Sequence, residues 1–105
     1  MTELVKICTV DELPANGHAK EVLAGHRMLC LANVDGELAA MDNVCPHRGG
    51  PLAEGLIENG KVVCPWHAWE FDPRSGECST VSGITVEVYR ITTTGDDVFV
   101  EVQNG

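Results

Sequence analysis

Cys45-Pro46-His47 and, after sixteen intervening residues, Cys64-Pro65-Trp66-His67 place one thiol and one imidazole in each of two short segments. Thiolates and neutral imidazoles are the donors that zinc and iron–sulfur centres favour, and four of them can close a site without water. Between the segments, Leu56-Ile57-Glu58 and Lys61-Val62-Val63 flank Asn59-Gly60, a dipeptide suited to a type I′ hairpin turn. Such a hairpin would hold the two segments at a fixed separation. Any fold open to this chain must therefore present two ligand loops side by side.

The rest of the chain reads as strands. Glu3 to Cys8 is a short apolar-rich strand, and Val10 to Gly17 is a turn region with one possible helical turn near Val10 to Leu13. Ala19 to Leu23, Arg27 to Val34 and Glu37 to Met41 follow, the last two joined by Asp35-Gly36, a second type I′ signal. After the turn Pro73-Arg74-Ser75-Gly76, Ile84-Val86-Val88 and Val98-Val100-Val102 alternate with polar or outward residues as half-buried antiparallel strands do. The expected fold class is all-β: an antiparallel sandwich or barrel-like base from residues 1–42 and 73–105, carrying a small insert at about 43–72. At 105 residues one domain, 1–105, is expected, without a second catalytic unit.

Charge narrows the partners. A net charge of -9 repels nucleic acid and anionic membrane surfaces, and favours a partner with a basic docking face where it does more than keep the protein soluble. No apolar stretch approaches the roughly 20 residues of a membrane span, and Met1 to Lys6 has no basic-then-apolar leader pattern, so a cytoplasmic protein is expected. In a reducing compartment five cysteines are thiols or metal ligands rather than a disulfide framework. Cys8, Cys30 and Cys78 lie in or beside apolar strand pattern and read as small buried hydrophobes. His18 and His26 stand outside any ligand spacing. Trp66 and Trp69 flank His67, where they could shield a metal, meet a partner or simply pack.

The order of the ligands bears on the metal. A common zinc finger takes both cysteines from one knuckle and both histidines from a helix, whereas here each segment donates one of each. A two-iron cluster with two thiolates on one iron and two imidazoles on the other needs both loops to reach both irons. A zinc-stabilised interaction module using the same four residues is the alternative of another class.

The pattern Cys-x-His, spacer, Cys-x-x-His, with Gly49-Gly50, Pro51-Leu52, Gly55 and Trp69-Glu70-Phe71-Asp72 around it, resembles the Rieske 2Fe-2S ferredoxin family, in particular the ferredoxin components of aromatic ring-hydroxylating dioxygenases. The resemblance implies one 2Fe-2S cluster, with Cys45 and Cys64 on an inner iron and His47 and His67 on an outer, solvent-facing iron. It implies a one-electron carrier between a flavin-dependent reductase and a terminal oxygenase, both docking near His47 and His67, rather than an enzyme by itself. High-potential members of the family carry a disulfide between the loops and hydroxyl donors after the second histidine. Gly50 and Trp66 stand at the disulfide positions here, and Trp69 and Phe71 at the donor positions. The expected potential is therefore in the lower part of the Rieske range of about -150 to +300 mV. Gly49 and Gly50 could turn backbone N–H groups toward the sulfurs or merely make a tight turn. Near Cys78 to Gly83, where soluble ferredoxins of the family have a covering proline, this chain has Ser79, Ser82 and Gly83. That departure keeps open a second reading, a small Rieske subunit of a larger redox enzyme such as an assimilatory nitrite reductase.

Overall fold

In the computed structural model, which describes residues 2–46, 49–66 and 68–103, the two ends of the chain pair with each other. Strand β1 (Thr2–Thr9) runs antiparallel to β10 (Asp97–Gln103), which pairs on its other side with β9 (Ile91–Thr94). A second antiparallel sheet has the order β2 (Ala19–Ala24), β3 (Arg27–Val34), β4 (Glu37–Asp42) and β8 (Val88–Tyr89). The third is small: β5 (Leu56–Glu58), β6 (Lys61–Val63) and β7 (Glu70–Phe71), also antiparallel. Single 3-10 turns at Val10–Glu12 and Leu52–Glu54 are the helical elements among the described residues. The fold is all-β.

Both anticipated hairpin turns form. Asp35 and Gly36 have φ of 54° and 85°, Asn59 and Gly60 of 51° and 77°; two successive positive φ values are what a type I′ turn requires. The turns fix the registers Val34↔Glu37 and Glu58↔Lys61.

The four-stranded sheet is the middle layer of three. From one face Val22, Leu29, Leu31, Ala40 and Tyr89 pack with Cys8, Val98, Val100 and Val102 of the terminal sheet. From the other, Cys30, Ala32, Val34 and Met41 pack with Leu52, Ala53, Val62 and Phe71, and with Cys45, Cys64 and Cys78. Strand β3 is thus covered on both sides, which explains why Met28 to Ala32 reads as an unbroken apolar run. Each fully buried Leu or Phe contributes roughly 1.5–3 kcal/mol, so this wall anchors the small sheet firmly.

One strand expectation is corrected and one strand is added. Ile84 and Val86 are not in a ladder; they lie in an irregular stretch pinned by Cys78 N–H to Ile84 O (2.9 Å) and Val86 N–H to Gly76 O (2.8 Å), their side chains packed against the small sheet's core. Only Val88–Tyr89 joins the middle sheet. Strand β9 was not anticipated at all.

Candidate functional site

Behind the first loop, Asn43 is the one buried polar residue among those described, 3% exposed. Its carbonyl accepts from Leu52 N–H (2.7 Å), its Oδ1 accepts from Ala53 N–H (2.8 Å) and its Nδ2 donates to Glu21 on β2 (2.7 Å). The 3-10 turn after the first loop is thereby fastened to the middle sheet.

The two loops close in the same way. Cys45 N–H donates to Gly50 O (2.9 Å) while Gly49 N–H donates back to Cys45 O (2.7 Å). Nineteen residues on, Cys64 N–H donates to Trp69 O (2.8 Å) and Ala68 N–H to Cys64 O (2.9 Å). Each cysteine is therefore gripped at both backbone polar groups by its own turn. At Gly49 the tight-turn role is the one observed, since its N–H is committed to the Cys45 carbonyl.

Burial separates the loops into floor and rim. Cys45 and Cys64 are 1% and 2% exposed, whereas Val44, Pro46, Pro65 and Trp66 around them are exposed. Two thiols under an exposed rim fit a cluster bound by sulfur at its inner end and reachable from outside. His47 and His67, with Arg48, lie outside the described residues. Accordingly, no group of three or more His, Cys, Asp or Glu side chains comes together among the described residues.

The remaining eye-catching residues sort clearly. Trp69 is half-buried against the small sheet's core and Phe71 is fully buried, while Trp66 faces solvent. Cys8, Cys30 and Cys78 are buried thiols; burial pushes the Cys30 thiol up to about 12, leaving it neutral and inert. His18 and His26 are exposed. The stretch after Cys78 is clipped to β7 by Ser79 N–H to Glu70 O (2.8 Å) and Glu70 N–H to Thr80 Oγ1 (2.9 Å). Val81 packs there against the core, so an aliphatic side chain stands in the region where the sequence lacked a proline. Lys6, Arg27 and Arg74 each meet a carboxylate within 3.4 Å, leaving the negative surplus on the surface. No helix among the described residues is long and apolar enough to cross a membrane.

Fold and site together define an all-β domain carrying two like loops, each with a buried cysteine at its foot. The chain matches the Rieske 2Fe-2S domain over residues 3–90 and belongs to that family, whose cofactor is one 2Fe-2S cluster. This decides against zinc. It is 30% identical over 104 residues to the ferredoxin component of the p-cumate 2,3-dioxygenase system of Pseudomonas putida, covering 97% of this chain and 88% of that one. It is 36% identical over 78 residues to apoptosis-inducing factor 3 of Homo sapiens, covering 74% of this chain but spanning only 13% of that protein. Among solved structures, the ferredoxin of Sphingomonas yanoikuyae B1 superposes with a TM-score of 0.85 at 25% identity, over 96% of this chain and 100% of that one.

Proposed function

We propose that this chain is a cytoplasmic one-electron carrier, with Cys45 and Cys64 holding the inner iron and His47 and His67 the outer one, working between a flavin-dependent reductase and a terminal oxygenase. The cluster supplies the chemistry, taking up and releasing one electron with no bond made to a substrate. The observation that carries the reading is the pair of thiols held by two like turns, buried beneath an exposed rim. The turns hold both cysteines, and Asn43 ties the turn after the first loop to the middle sheet. The near full-length likeness to a ferredoxin component supports the same role.

On this reading the exposed rim formed by Val44, Pro46, Pro65 and Trp66 is the surface offered to both partners in turn. One face used twice calls for small, quickly released interfaces, and the acidic surface favours basic faces opposite it. Phe71 and Trp69 carry no hydroxyl to donate to a sulfur, which favours a potential in the lower Rieske range.

Iron and acid-labile sulfide should be present at two each per chain, with a visible spectrum and a reduced-state EPR signal. Changing His47 or His67 to Ala should abolish that signal; an unchanged signal would refute the ligand assignment. Gel filtration distinguishes the free carrier from a resident subunit: the carrier migrates alone, and a stable complex with a larger redox enzyme would replace this reading by the second one.

A further inference from the structure

The two loops meet at Gly50. A Cβ built on Gly50 would lie 3.0 Å from Cys64 Sγ and 3.1 Å from both Cγ and Cδ2 of Trp66. The indole of the second loop therefore lies on the bare backbone of the first, with the Cys64 sulfur beside the same spot. Gly50 and Cys64 are buried while Trp66 is 57% exposed, so the indole is the outer member of this stack. Even one methyl group on Gly50 would press on the ring and the sulfur together.

We infer that Trp66 is a positioning residue for electron exchange: seated on Gly50, its indole clasps the second loop to the first and keeps water from the Cys64 sulfur. The inference rests on the carrier reading above. A water hydrogen-bonded to a metal-bound sulfur stabilises the more negative, reduced state, and an aromatic ring over that sulfur denies the site this help. The clasp is non-covalent and needs a flat ring on one loop and no side chain on the other. Its consequence is a centre that reduces at lower potential and keeps its iron longer.

The test compares the holoprotein with Trp66→Ala, Trp66→Phe and Gly50→Ala. Midpoint potential, reduced-state EPR and the rate at which a chelator bleaches the visible spectrum are measured, with far-UV circular dichroism as the folding check. Trp66→Ala should raise the potential and bleach several-fold faster, while Trp66→Phe, keeping a flat ring, should stay close to the parent. Gly50→Ala, whose methyl group presses on the ring and the sulfur together, should move potential and bleaching in the same direction as Trp66→Ala. A folded Trp66→Ala with parental potential, EPR and bleaching rate would overturn the clasp and leave the carrier reading standing. A parent protein without iron and labile sulfide would overturn both.

Discussion

Gly49 and Ala68 hold the same place in two matched turns, each donating its N–H to the carbonyl of the cysteine four residues before it, with left-handed φ of 77° and 59°. Glycine takes that conformation freely; alanine does so at a cost of roughly 1–2 kcal/mol. The second loop is the strained member of the pair, and its hairpin and core contacts hold it there.

Ala68→Gly should accordingly stabilise the protein. Relief of left-handed strain, less about 0.4–1 kcal/mol for the added freedom of the unfolded chain, leaves a net gain near 0.5–1 kcal/mol. Gly49→Ala should cost a similar amount. Denaturant melts of both variants decide it, and a destabilised Ala68→Gly would sink the comparison of the two loops.

Asn43→Ala removes the acceptor of Ala53 N–H in a buried place. An unsatisfied buried donor costs roughly 1–3 kcal/mol, and the turn behind the first loop loses its tie to β2. Lower denaturation midpoint and faster loss of iron are expected together. Equal stability and iron retention in the variant would show that Asn43 is not the anchor.

The five cysteines should divide cleanly. Cys64→Ser is expected to abolish the visible spectrum, whereas Cys30→Ala, which trims a small group from the core, should keep full iron content at a stability cost of about 1 kcal/mol. Iron analysis of both proteins suffices. Loss of iron from Cys30→Ala alone would reverse the assignment.

Alkaline pH should weaken the fold through Tyr89. Burial, and then the hydrogen bond its hydroxyl donates to Asp42 (2.6 Å), push its pKa up, against the opposing bond donated by Arg27 (3.0 Å). The folded state thus prefers the neutral phenol: its contribution is complete below the unfolded pKa near 10 and is lost as pH rises above it. Cys30 and Cys8, both pushed up by burial, add losses beginning nearer pH 9, and both thiols are kept in the two proteins compared so that these losses cancel. Urea melts at pH 8 and pH 11 should then show a smaller drop for Tyr89→Phe. An equal drop in both proteins would rule Tyr89 out as the cause.

Much of this is legible in the sequence, for physical reasons that differ by element. Asp35-Gly36 and Asn59-Gly60 announce their hairpins because few other dipeptides tolerate two positive φ values in succession. Cys45 and Cys64 stand out by donor chemistry and spacing, and the structure buries both within like turns. Strand β9 was silent because Ile91–Thr94 has no fully buried residue and so no alternation to read. Ile84 and Val86 misled in the opposite sense, since inward-facing side chains on a pinned loop copy the period of a strand. The contact between Gly50 and Trp66 could not be read from spacing, because it depends on how the two loops are brought together in space.

Strand β3 alternates its side chains between two separate compartments, Leu29 and Leu31 going one way and Cys30 and Ala32 the other. A slip of one residue along this strand would exchange their contents wholesale, sending bulky leucines beneath the thiol pair and small residues toward the terminal strands. Alignment is therefore checked twice over, once on each side, so a slip of one residue is penalised in both compartments at once.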